Sequence, residues 1–162
     1  MSPISLDLLS HSEGDTLDIA RALGAVLVKG DVVALTGDLG AGKTVFCKGV
    51  GESLGVSPDR IVSPSFTIVT EHEGTVPLYH VDVYRLSSEW EAACIGLEEL
   101  LNGEGVCLVE WSEKIVSLLP KHSIKIRFLF LDEDGRRLDI TAEDTPRMRD
   151  FLTRCKRYLP GG

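Results

Sequence analysis

The chain has 162 residues, 43% of them hydrophobic and 26% charged, with a formal net charge of -8. This is an ordinary globular mix with enough chain for a real core, and it predicts one domain over 1–162. The acidic balance weighs against a protein that grips nucleic acid by itself, since such proteins carry a basic patch. No stretch approaches the ~20 apolar residues of a membrane span. Met1-Ser2-Pro3-Ile4-Ser5-Leu6-Asp7 lacks the basic start of a secretory signal, so a cytoplasmic location without membrane association is expected. Cys47, Cys94, Cys107 and Cys155 form no C-x-x-C pair and do not combine with the four histidines at zinc-ligand spacing. They read as small buried thiols in a reducing compartment.

In chain order, Ile4 to Leu9 predicts a short edge strand, and His11 to Asp15 a polar break with capping residues. Leu17, Ala20, Leu23, Leu27 and Val28 recur at helical spacing and predict an amphipathic helix over Thr16 to Val28. Lys29-Gly30-Asp31 turns the chain into the apolar run Val32-Val33-Ala34-Leu35.

That run feeds Gly37-Asp38-Leu39-Gly40-Ala41-Gly42-Lys43-Thr44, which matches G-x-x-x-x-G-K-[ST] at every fixed position. It opens a helix from Val45 to Leu54. Strand, loop and helix in this order are the context the motif requires. Glycines admit positive φ and let the backbone approach phosphate without a Cβ in the way. Successive N–H groups then form an anion nest at a helix N-terminus. Lys43 would place a charge near the β- and γ-phosphates, and the Thr44 hydroxyl would ligate Mg²⁺. The bland alternative is a glycine-rich turn that binds nothing.

Beyond Gly55, a C-terminal cap, Val56 to Pro64 predicts a loop. Ser63-Pro64-Ser65 breaks any helix, and Phe66 to Thr70 predicts a strand rich in β-branched residues. After a turn at Glu71 to Thr75, Pro77 to Tyr84 returns as a strand. Leu78, His80, Asp82 and Tyr84 lie on one face; Tyr79, Val81 and Val83 lie on the other. Ser87-Ser88-Glu89 starts a helix to about Cys94, and Leu97 to Leu101 a second. Val106-Cys107-Leu108-Val109 predicts a strand buried on both faces of a parallel sheet, ending in Glu110-Trp111. Ser123 to Leu131 and Arg137 to Ala142 predict a hairpin, Thr145 to Tyr158 a helix, and Leu159 to Gly162 a frayed tail. Arg147, Arg149, Arg154, Lys156 and Arg157 form a basic cluster there, either a solvated helix face or tail, or a docking or RNA-facing patch. Together these elements predict an α/β, P-loop NTPase-like three-layer fold. Its central sheet is mixed, parallel in the middle and antiparallel outside, with helices on both faces.

Hydrolysis needs more than a phosphate loop: a carboxylate for the metal, a group to orient water, and a cation for the developing charge. Asp82 and Glu110 stand where apolar strands exit, and strand ends carry ligand chemistry in open α/β sheets. Glu110 is the metal candidate. Asp82 is an acid in a strand, costly unless paired or used, with an ion pair to Arg85 as the alternative. His80 reads as a mostly structural, satisfied histidine. Trp111 would stack on a base or a partner, or fill the core. Ser63, Ser65 and Thr67 sit where a nucleotide-sensing switch would lie, with a rigid proline turn as the alternative.

Taken together, four blocks resemble the bacterial TsaE (YjeE) family of small ATPases of tRNA threonylcarbamoyladenosine biosynthesis. They are Gly37 to Thr44, Ser63-Pro64-Ser65-Phe66-Thr67, His80-x-Asp82-Val83-Tyr84-Arg85 and Glu110-Trp111, with Ser12-Glu13-x-x-Thr16, Phe46, Gly49 and Gly135-Arg136 also similar. The resemblance implies binding of ATP with Mg²⁺, slow and partner-stimulated hydrolysis, and association with TsaD-like and TsaB-like proteins. Through that complex it implies an indirect tie to tRNA, where the TsaD-like partner modifies adenosine 37 of tRNAs reading ANN codons. It implies Lys43, Asp82 and Glu110 as catalytic residues, and Thr44 and Glu110 as metal ligands. It places Glu13, Gly40, Ala41, Gly42, Lys43, Thr44, Val45, Asp82 and Arg136 at the nucleotide. Two positions depart from the family pattern: Ser65 stands for a usual Thr, keeping a hydroxyl, and Val45 for a second Thr, losing one.

Two other functional classes fit the same loop. A small kinase would need a substrate pocket and an Arg-rich lid, and no such lid segment is visible. A regulatory nucleotide-binding module would bind without useful turnover. No guanine-reading N-K-x-D motif is present, which favours ATP over GTP.

Overall fold

The computed structural model describes residues 2–62 and 67–161. Strands β1 (Pro3–Ser10), β2 (Val32–Gly37), β3 (Val69–Glu73), β4 (Pro77–Asp82), β5 (Val106–Glu110), β6 (Ile124–Phe130) and β7 (Arg136–Glu143) form one sheet. Their order is β1-β7-β6-β2-β5-β4-β3. β6, β2, β5 and β4 run parallel, β7 and β3 run antiparallel to them at the two sides, and β1 pairs antiparallel with β7 at the edge. The mixed sheet and the edge position of β1 are as the sequence predicts.

The alternation of β5 places a core on each face of this sheet. Val106 and Leu108 enter a large core with α1 (Glu13–Gly24), α2 (Lys43–Ser53) and α5 (Pro146–Arg154). Cys107 and Val109 enter a smaller one with α3 (Glu89–Cys94), α4 (Leu97–Leu101) and a 3₁₀ segment, Ser112–Leu118. Every residue of β5 is buried, as expected of a central parallel strand.

Several boundaries differ from expectation. α1 begins at Glu13 because Ser12 caps it, accepting the Asp15 N–H, and it ends at Gly24; Val26 and Leu27 are buried outside the helix. The helix after the phosphate loop starts at Lys43, and Gly55 takes φ +83 after it, as its cap role requires. β3 starts at Val69 and continues to Glu73, so the turn lies later than the composition indicated; Ser63 to Phe66 lie outside the described residues. β4 ends at Asp82, which puts Tyr84 in a turn, not on the strand face. Leu159 packs against the large core instead of fraying.

Three of the five basic residues of the cluster pair with acids. Arg147 grips Asp31 with two nitrogens (2.7 and 3.3 Å) and the Val26 carbonyl, tying α5 to the turn before β2. Arg149 pairs with Asp144, Arg154 with Asp150, and the Arg157 guanidinium lies over the Tyr158 ring. Cys47, Cys107 and Cys155 are buried as expected; Cys94 is exposed, a departure caused by its place at the end of the short α3.

Candidate phosphate-binding site

The parallel register brings the chemistry to one edge of the sheet. Glu110, the last residue of β5, lies opposite Leu35 of β2 on one side and Asp82 of β4 on the other. β2 then runs through Gly37 into the glycine loop, so the loop, Asp82 and Glu110 meet at the C-terminal ends of three neighbouring strands. Gly37, Gly40 and Gly42 take φ of +141, +79 and +104. A Cβ added at Gly40 or Gly42 would meet nothing within 4 Å, so it is the left-handed backbone, not crowding, that requires glycine there.

A cavity of about 490 Å³ opens over the loop, lined by Leu39 to Val45, Thr67, Ile68, Asp82, Tyr84, Arg85, Glu110 and Trp111. On the other side of the loop a smaller one of about 150 Å³ is lined by Ser12, Glu13, Gly40, Val45 and Arg136, among others. Thus the first cavity gathers Lys43, Thr44, Asp82, Glu110, Thr67 and Trp111, and the second Glu13 and Arg136, with Gly40, Ala41, Gly42 and Val45 between them. Ser63 and Ser65 lie outside the described residues.

Lys43 is only 5% exposed. Its Nζ donates to the Gly37 carbonyl and, at 3.1 Å, to the Asp38 carbonyl, and lies 3.9 Å from the centre of the Trp111 ring. Burial lowers its pKa, opposed by the negative charges of Glu110, Glu113, Asp82 and Asp38. Trp111 takes φ +61, alone among the described non-glycine residues, and its ring leans on Tyr84 at 4.8 Å. A left-handed tryptophan costs of order 1–3 kcal/mol and marks a position the surroundings over-determine.

Glu110 is 3% exposed. Thr44 Oγ1 donates to it, 3.1 Å from either carboxylate oxygen, and His80 Nε2 lies 2.5 Å from Oε2. Thr44 and Glu110 are therefore an all-oxygen donor pair converging at the cavity floor, the set that suits a hard cation such as Mg²⁺. Cys47, His80 and Glu110 also offer ligand atoms within 4.8 Å of one another, a grouping the spacing of the sequence concealed. Burial first, and then the charges of Glu110 and Asp82, push the Cys47 thiol well up, which disfavours the thiolate a soft metal needs. Asp82 Oδ1 accepts the Tyr84 N–H at 2.9 Å, which turns the chain away from β4.

On the other side, Arg136 is held by the carbonyls of Asp132, Glu133 and Gly135, stacks on Phe130, and reaches the Gly40 carbonyl at 3.4 Å. This anchors the β6–β7 turn beside the loop.

Two features escaped the sequence reading. His80 is not a satisfied structural histidine: one nitrogen is on Glu110 and Nδ1 has no partner among the described residues. Its i, i+2 spacing to Asp82, beside a strand ending in Glu110, was the available signal. Tyr84, exposed at 56%, joins the cavity wall through its contact with Trp111, which no spacing encodes.

The family model described as "Threonylcarbamoyl adenosine biosynthesis protein TsaE" matches residues 10–138. The chain belongs to the TsaE family. It is 47% identical over 130 residues to the tRNA threonylcarbamoyladenosine biosynthesis protein TsaE of Bacillus subtilis, covering 79% of this chain and 80% of the relative. It is 39% identical over 132 residues to that of Treponema pallidum, covering 82% and 97%. A crystal structure of Bacillus subtilis YdiB superposes with a TM-score of 0.74 at 35% identity, covering 98% of this chain and 96% of the other. The TsaE match spans both cavities, Asp82 and Glu110, and stops at Leu138, just after the β6–β7 turn. Among the described residues no helix is long and apolar enough to cross a membrane.

Proposed function

We propose that this TsaE-family chain is an Mg-ATP-binding hydrolase serving the threonylcarbamoylation of tRNA adenosine 37, acting with TsaD-like and TsaB-like proteins in the cytoplasm. The observation that carries the nucleotide reading is the convergence of Lys43, Thr44, Asp82 and Glu110 on one cavity over the glycine loop. The role in tRNA modification rests on the family and on the Bacillus subtilis and Treponema pallidum relatives, both named for tRNA threonylcarbamoyladenosine biosynthesis.

The loop N–H groups at a helix N-terminus bind phosphate oxygens, and Lys43 contributes the charge. Thr44 and Glu110 would hold Mg²⁺, which when bound neutralises charge on the phosphates. Asp82, at the end of the strand beside Glu110, would orient water over the γ-phosphate. Tyr84 and Trp111 wall the same space. Glu13 and Arg136 border the smaller cavity, where the rest of the nucleotide would extend. The net charge of -8 favours protein partners over direct contact with RNA.

Calorimetry with ATP and Mg²⁺ tests the site. Lys43→Ala is expected to abolish binding, and Glu110→Ala to reduce turnover more than binding. Unchanged affinity in the first variant, or an unaltered hydrolysis rate in the second, would refute the assigned roles. Released inorganic phosphate is the expected product. A phosphorylated metabolite detected by mass spectrometry would support a kinase instead, and co-purification with TsaD-like and TsaB-like proteins tests the partnership.

A further inference from the structure

His80 sits on β4 opposite Leu108 of β5, one pleat back from Glu110, with its side chain fully buried at 0% exposure. The neighbouring positions on that face, Leu78 and Leu108, are leucines in the large core. An apolar residue would pack there equally well, so the imidazole needs a reason. With Glu110 as the carboxylate a metal ligand requires, its oxygen accepts in this 2.5 Å contact and Nε2 donates. Nδ1 has no partner among the described residues, and a bare lone pair there is cheaper than a stranded N–H. The polar atoms of His80 thus serve Glu110 alone.

Glu110 has few other constraints. The last torsion of a glutamate is soft, so nothing intrinsic keeps its plane fixed. Thr44 Oγ1 lies equally far from both oxygens and selects neither. Cys47, close by, is held as the neutral thiol and brings no charge. Among the described residues, only the His80 bond distinguishes Oε2 from Oε1.

We infer that His80 is a positioning residue: it pins one oxygen of Glu110 so that the carboxylate presents the other, together with Thr44, to a divalent cation. This rests on the proposed Mg²⁺ site. Outer partners of ligating carboxylates, when removed, typically weaken metal affinity about 10- to 100-fold.

The test compares His80→Gln, whose amide reaches the place of Nε2, with His80→Asn, whose amide reaches only that of Nδ1, and with His80→Leu. ATP affinity is measured by calorimetry in EDTA and at rising Mg²⁺, with a thermal melt to establish folding. For Asn and Leu, affinity in EDTA should stay within about twofold while the Mg²⁺ needed for half-maximal gain rises about tenfold or more, with Gln restoring most of it. A merely structural role would lower both affinities together and would not separate Gln from Asn. Equal Mg²⁺ dependence in His80→Leu and the unsubstituted chain overturns the inference and leaves the metal site standing. If the unsubstituted chain itself gains nothing from Mg²⁺, the metal reading falls and the inference with it. Should Leu fail to fold, the Gln and Asn pair alone decides the question.

Discussion

Lys43 and Trp111 form a contact that the proposed nucleotide binding would break or reshape. The ammonium is held by two carbonyls of its own loop and by the face of the indole ring. A cation–π contact with a partly desolvated lysine is worth roughly 0.5–2 kcal/mol, less than a phosphate offers to the same charge. Phosphate should therefore draw Lys43 away from the ring, and Trp111 should report it. The other tryptophan, Trp90, is 74% exposed on α3 and would mask the signal. In a Trp90→Phe background, Mg-ATP is expected to change the Trp111 emission, and Lys43→Ala should remove that response. An emission unaffected by saturating nucleotide would mean that the lysine keeps its present contacts.

At the scale of elements, α1 and α2 approach each other through glycine. A Cβ on Gly49 would lie 2.5 Å from the Ala20 Cβ and 2.9 Å from the Leu17 carbonyl oxygen. Alanine would gain up to ~1 kcal/mol of helix propensity at this position. Overpacking costs about 1–3 kcal/mol, and here one of the clashing atoms is backbone and cannot rotate away. The clash should win: Gly49→Ala is expected to lower the urea midpoint, and adding Ala20→Gly should recover only part of the loss because the Leu17 carbonyl remains. A midpoint at or above that of the parent would show that the helices separate freely.

The same pair explains what was legible. The glycine loop, the positions of Asp82 and Glu110 and the parallel core were readable because glycine spacing and apolar runs are local signals. The start of α1 was not, since Ser12 capping competes with the apolar period that pointed to Thr16. Nor was the partnership of His80 with Glu110, which depends on the β4–β5 register between residues 30 apart. Trp111 was singled out, but its left-handed backbone is set by the turn from Glu110 into Ser112, whose hydroxyl bonds the Leu35 carbonyl.

For the whole molecule, one sheet separates two cores, and the cysteines sample both. Cys155 belongs to the core with α1, α2 and α5, and Cys107 to the core with α3 and α4. Burial pushes each of these thiols up to about 12, and Cys47 is buried completely. Only thiolate reacts quickly with a disulfide reagent, so at neutral pH the folded chain should label once, at exposed Cys94, and Cys94→Ser not at all. The urea dependence then separates two kinds of molecule. β5 contributes alternate side chains to both cores, so losing either core strips one face of the central strand. Cys107 and Cys155, followed by mass spectrometry of labelled peptides in the Cys94→Ser background, are therefore expected to become reactive at one shared midpoint. Earlier exposure of Cys107 would mean that the α3–α4 face opens by itself, as an element built on short helices and few buried side chains would.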